Sequence, residues 1–155
     1  MAGADKIRSE MANANGTHPA GGHLCTVAAE TRALAESFAA SLAAPSAIAL
    51  DGPLGAGKTE FVKGLAAGLG CTDNPSSPTF AIAHEYGGGR MKLFHFDFYR
   101  MESEAEILTS GVEECFGEGI VVIEWAEKFP GTLPDGSVGI RIEVIEGDVR
   151  RITFQ

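Results

Sequence analysis

The chain has 155 residues, 45% of them hydrophobic and 21% charged, which suits a single globular domain that buries roughly two-thirds of its surface without staples. Its 12 Lys and Arg against 21 Asp and Glu leave a formal net charge of −9, which argues against unaided nucleic-acid binding because phosphate-backbone affinity comes mainly from basic side chains. Cys25, Cys71 and Cys115 are odd in number, widely spaced and outside any CxxC pair, so they read as small hydrophobes in a reducing, cytoplasmic setting rather than as a disulfide or zinc framework.

Met1 to about Gly22 is rich in Ala, Asn, Gly and small polar residues and keeps no period, so it reads as a disordered extension in which His18 and His23 are solvated. No basic segment leads an apolar core there, and no apolar run approaches the roughly 18–20 residues of a membrane span; no membrane association is expected. From about Thr26 to Leu42, Leu34, Phe38 and Leu42 recur at helical spacing among alanines, and Pro45 closes the element. Ala47 to Leu50 predicts a short buried strand, and Lys58 to about Leu69 a helix with Phe61, Val62, Leu65, Ala66 and Leu69 on one face. Phe80–Tyr86 and Met91–Tyr99 flank a triple-glycine turn and predict a β-hairpin. A weaker helical pattern runs from about Glu102 to Cys115 with a break near Gly111, followed by Gly119–Glu124, a continuous apolar run suited to a central strand. Val138–Ile145 and Val149–Phe154 predict a closing hairpin.

Between the first predicted central strand and the helix at Lys58, three glycines fall within six positions. Gly52-Pro53-Leu54-Gly55-Ala56-Gly57-Lys58-Thr59 satisfies G-x-x-x-x-G-K-[ST], the phosphate-binding loop. Glycines open backbone conformations that let successive N–H groups point inward at phosphate oxygens, and the following helix adds its unpaired N–H groups and positive dipole end. The expected nucleotide-binding set is Gly52, Leu54, Gly55, Ala56, Gly57, Lys58, Thr59 and Glu60. Within it Lys58 reaches the β and γ phosphates, and the Thr59 hydroxyl ligates Mg2+.

Magnesium in such sites takes a second carboxylate from a neighbouring strand. Glu124, at the end of the apolar run, is the leading candidate, against the plainer reading of a surface acid. Asp97 is the second. Alternation in Leu93–Arg100 puts His95 and Asp97 on one face and Phe94, Phe96 and Phe98 on the other, so Asp97 is expected to meet a cation, a water or a donor. His95 and Asp97 as two ligands of a transition metal lack a third at suggestive spacing. Trp125 is either a core aromatic or a nucleotide neighbour, and Arg100 either neutralises phosphate charge or pairs with a surface acid.

The loop, Ser77-Pro78-Thr79-Phe80, His95-Phe96-Asp97-Phe98-Tyr99-Arg100 and Ile123-Glu124-Trp125-Ala126-Glu127-Lys128-Phe129 together resemble the TsaE (YjeE) family of bacterial P-loop ATPases, over about Cys25 to Phe154. The resemblance implies a three-layer α/β P-loop domain with a mostly parallel sheet and antiparallel hairpins, in residues 23–155. It implies an ATPase that works with TsaD-like and TsaB-like partners, which place a threonylcarbamoyl group on adenosine in tRNA, so that tRNA is met only indirectly. By the same resemblance Thr59 and Glu124 are magnesium ligands, Asp97 acts near the metal or the attacking water, Thr79 senses the γ-phosphate, against the plainer reading of a strand start after Pro78, and Trp125 lies near the nucleotide. Pro53 departs from the family, which often has Asp there, and the segment before Cys25 is longer than usual.

A GTPase would share the loop but also needs NKxD and DxxG, which are absent. A small-molecule kinase would want an arginine-bearing lid, and no arginine lies between Arg100 and Arg141. The non-enzyme alternative is a nucleotide-gated interaction module with negligible turnover alone.

Overall fold

The computed structural model describes residues 22–72 and 83–155. The readings placed on residues 1–21 and 73–82, among them the extension, His18, Thr79 and the start of the first hairpin strand, lie outside the described residues. In chain order the elements are β1 (Gly22–Cys25), α1 (Ala28–Ser41), β2 (Ser46–Asp51), α2 (Lys58–Gly68), β3 (Ala83–Tyr86), β4 (Lys92–Asp97), α3 (Glu104–Thr109), α4 (Val112–Cys115), β5 (Gly119–Glu124), β6 (Val138–Glu146) and β7 (Val149–Phe154). Two short 3-10 turns, Ala126–Lys128 and Pro130–Thr132, follow β5.

The strands form one seven-stranded sheet in the order β1-β7-β6-β2-β5-β4-β3. The four central strands, β6, β2, β5 and β4, run parallel, and antiparallel pairs close both edges. Helices cover both faces, so the domain has three layers. On one face α1 and α2 pack over Ile48, Leu50, Leu93, Ile120, Val122, Ile140 and Ile152. On the other, Ile107 of α3 and Val112 of α4 pack against Phe94, Phe96, Phe98, Val121 and Ile123. Every residue of β5 is buried, as its unbroken apolar run predicts for a strand covered on both sides.

The helical pattern after Glu102 divides at Gly111, whose φ of 84° suits glycine and caps the break. Ser103 opens α3 by accepting the Glu106 N–H at its side chain, an ordinary N-cap. Cys25 and Cys115 are buried, and Cys71 is half-buried with its thiol directed at the Tyr86 and Met91 carbonyls at 3.7 Å. Burial raises the pKa of the Cys25 and Cys115 thiols above the usual thiol value, which fits inert core residues. No helix among the described residues is long and apolar enough to cross a membrane.

Strand β1 begins inside the stretch read as an extension and corrects the placement of His23. That ring pairs edge-on with Phe154 at 5.8 Å, beside a strand partner in Ile152, rather than standing in solvent. Four residues, Gly-His-Leu-Cys, carry no alternation strong enough to announce a strand; the open edge of β7 recruits them.

The contact of α1 with α2 depends on two glycines that periodicity does not single out. A Cβ on Gly64 would lie 2.3 Å from the Arg32 carbonyl oxygen and 2.6 Å from the Ala35 Cβ, and one on Gly68 would lie 2.2 Å from the Glu36 carbonyl oxygen. Gly64→Ala gains about 1 kcal/mol of helix propensity, but forcing the helices apart costs about 1–3 kcal/mol. Net destabilisation is therefore expected in urea unfolding. A more stable variant would show that the helices do not approach this closely.

Candidate active site at the carboxyl edge of the sheet

Strand parity assembles the site. In β5 the even residues Ile120 and Val122 face the α1–α2 layer, so Glu124 does too. In β4 the odd residue Leu93 faces that layer, so His95 and Asp97 follow it, while Phe94, Phe96 and Phe98 enter the opposite core. The parallel register aligns Leu50 with Glu124 and Glu124 with Asp97. Three neighbouring strands thus end in one row, with the glycine loop and the start of α2 above it.

Leu54, Gly55, Gly57, Lys58, Thr59, Asp97, Glu124 and Trp125 line one cleft of about 380 Å³, within the range of small-molecule sites. The loop takes its shape from Gly55 and Gly57, at φ 78° and 98°, a region costly for residues with a Cβ. Gly52 plays a different part. A Cβ there would lie 2.8 Å from the Ile142 carbonyl oxygen, and its own carbonyl accepts the Lys58 ammonium at 2.7 Å. Ala56 is buried, and its N–H closes the turn on the Pro53 carbonyl at 3.1 Å. Helix geometry leaves the first N–H groups of α2, from Lys58 onward, without intrahelical acceptors, and they start at the cleft.

Lys58 is 8% exposed. Besides its bond to Gly52, its ammonium lies 3.9 Å from Glu124 Oε1 and 4.8 Å from the centre of the Trp125 ring. Glu124 is equally buried, and its Oε2 pairs with His95 Nε2 at 3.0 Å. Glu124 is therefore not a surface acid. A carboxylate so placed would be costly without these partners. Thr59 presents its hydroxyl at the first turn of α2, exposed in the cleft.

Asp97 is exposed and accepts the Tyr99 N–H at 2.9 Å, one of the partners its position called for. The aromatic residues beside it in the chain do not desolvate it, because alternation sends them to the other face. Glu60 turns away from the cleft: its carboxylate binds Arg32 and Lys63, and these bonds, Arg32 first, hold it below the usual carboxylate pKa. Arg100 is exposed and stands outside the cleft lining.

Trp125 has φ 61°, the only positive φ at a non-glycine position among the described residues. A bulky side chain held there stores on the order of 1–3 kcal/mol, and such strain clusters at functional sites. Its ring packs on Tyr99 at 5.0 Å between centroids. Lys128 ties the arrangement together, donating to the carbonyls of Tyr99 at 2.7 Å and Met101 at 2.8 Å and so bracing the loop after β4 against the turn after β5.

Sequence reasoning did not anticipate the bracing by Lys128, the His95–Glu124 bond, or Arg150, which reaches the glycine loop from β7. For His95 the signal was present: it shares a strand face with Asp97, and Glu124 belongs to the adjacent strand. No group of three or more His, Cys, Asp or Glu able to hold a metal occurs among the described residues.

The model of the threonylcarbamoyl adenosine biosynthesis protein TsaE matches residues 25–152. The chain is 45% identical over 126 residues to the tRNA threonylcarbamoyladenosine biosynthesis protein TsaE of Bacillus subtilis, covering 81% of this chain and 78% of that protein. It is 44% identical over 109 residues to the Treponema pallidum TsaE, covering 70% and 80% respectively. The crystal structure of Bacillus subtilis YdiB superposes with a TM-score of 0.69 at 36% identity, over 86% of this chain and 82% of that one. Four motifs in order along the chain, the strand order that gathers Lys58, Asp97 and Glu124 at one edge of the sheet, and this likeness over most of the chain lead to one statement: the chain belongs to the TsaE family of tRNA threonylcarbamoyladenosine biosynthesis.

Proposed function

We propose that this chain is the Mg2+-dependent ATP-binding and ATP-hydrolysing component of the machinery that installs threonylcarbamoyladenosine in tRNA. It supports a complex of TsaD-like and TsaB-like proteins in the cytoplasm rather than transferring the group itself. The observation that carries this reading is the meeting, in one cleft, of the glycine loop, Lys58 and Glu124. Loop and helix amides grip phosphate oxygens, and Lys58 supplies a positive charge already desolvated and aimed.

The donor set fits magnesium. Thr59 and Glu124 offer two hard oxygens, and Mg2+ commonly binds through one or two protein ligands while keeping waters and substrate phosphates, with no all-protein cage needed. When bound, the ion would neutralise charge on the phosphate oxygens. Asp97, on the rim of the cleft, would orient the water that attacks the γ-phosphate, and Trp125, backed by the Tyr99 ring, lines one side. Catalysis of this kind rests on positioning and charge neutralisation rather than on a covalent intermediate.

One feature favours a slow enzyme that partners accelerate. Among the described residues Lys58 is the cation lining the cleft, with Arg100 outside it, and phosphoryl transfer is slow without a further cation on the transition state. A nucleotide-gated module and a weak ATPase then become two views of one device. The net charge of −9 supports tRNA contact through the partners. Reconstituted tRNA modification tests the proposal: activity should require this chain and ATP, and Glu124→Ala should abolish it. Modification that proceeds equally without the chain would sink the reading.

A further inference from the structure

Arg150 belongs to β7, whose Ile152 and Phe154 enter the α1–α2 core, so parity points Arg150 toward the same layer and the glycine loop. The paired strand β6 carries a register shift between Val144 and Glu146, beside Arg150, and such irregularities are over-represented next to functional sites. Its guanidinium donates from Nε to the Ala56 carbonyl at 3.0 Å, from Nη2 to the Gly55 carbonyl at 3.2 Å, and from Nη1 to the Gly147 carbonyl at 2.6 Å. Arginine has only donors, arranged as a rigid fork, and here one edge of that fork spans two successive loop carbonyls.

We infer that Arg150 is a positioning residue that sets the peptide planes of the phosphate-binding loop before any anion arrives. In a trans peptide the C=O and the next N–H point in opposite directions. Holding the Gly55 carbonyl outward turns the Ala56 N–H onto Pro53, where it closes the turn. Holding the Ala56 carbonyl outward turns the Gly57 N–H the other way, away from Arg150. Gly55 and Gly57 flank these planes and permit them to rotate, so the loop needs an external clamp. The gain for binding is preorganisation: the ligand no longer orders the loop itself.

This inference rests on the loop's binding a nucleotide, and the test separates the two. Full-length wild type, Arg150→Ala and Arg150→Lys are titrated with Mg·ATP and Mg·ADP, read by the emission of Trp125, the single tryptophan. If wild type binds neither, the nucleotide reading falls and the inference with it. If wild type binds, Arg150→Ala should lose at least about tenfold affinity for both nucleotides. Lysine should recover only part, because one ammonium cannot span both carbonyls. Methylguanidinium added to Arg150→Ala should restore affinity, and the Gly57 amide resonance of the nucleotide-free protein should shift or broaden. Unchanged affinity in Arg150→Ala overturns the inference. So does a loss that methylguanidinium fails to recover while the Gly57 resonance stays in place, which would mark a scaffold role. Should the alanine variant not fold, Arg150→Lys decides: a moved Gly57 amide with weakened binding supports the clamp, and wild-type values refute it.

Discussion

Lys58→Ala is expected to weaken ATP binding on the order of a hundredfold and to remove measurable hydrolysis. The magnitude follows from burial. The ammonium is already stripped of most of its water and held by the Gly52 carbonyl, the Glu124 carboxylate and the Trp125 ring. Little desolvation remains to be met when a phosphate approaches, so most of the charge-assisted interaction reaches the affinity. Truncation also leaves Glu124 with His95 but without its cation, and a buried carboxylate beside a polyanion opposes binding further. Calorimetric titration with ATP in magnesium measures the effect. Wild-type affinity and turnover in this variant would remove the loop from the nucleotide site.

Glu124→Gln separates metal from phosphate. The amide keeps the shape and can still accept a hydrogen bond from His95, while the negative charge is lost. Turnover with magnesium is expected to fall by about 10²–10³. Binding of ATP in excess EDTA should hold or tighten, because a negative charge 3.9 Å from the Lys58 ammonium no longer competes with the phosphates. Alanine would blur this contrast by opening space and leaving His95 without its partner. If glutamine leaves magnesium-dependent hydrolysis intact, Glu124 is not the metal's carboxylate, and Asp97, exposed on the rim, becomes the candidate to test.

Among the described residues, much of the fold was legible because its signals are local. The β6–β7 hairpin, the apolar run of β5 and the break at Gly111 each follow from a few adjacent residues. The alternation that set His95 and Asp97 apart from Phe94, Phe96 and Phe98 is likewise a property of one strand. What escaped depends on residues distant in the chain: β1 exists because β7 has a free edge, and Gly64 and Gly68 matter because α1 lies against them. The close approach of helices leaves no periodic trace, since glycine scores as neither core nor surface.

The sequence by itself determined the chemistry on offer: a loop able to turn amides inward, a lysine and a hydroxyl after it, an acid closing an apolar strand, and each residue's side of its own strand. Period and composition settle these because they act within a few residues. Tertiary structure alone decided that β5 lies between β2 and β4, so that Glu124 stands between Lys58 and His95, that Trp125 is held at positive φ, and that Arg150 crosses from the last strand to the loop. Strand order and register are outcomes of packing the whole core, in which no single segment carries the information, and they turn a set of compatible residues into one site.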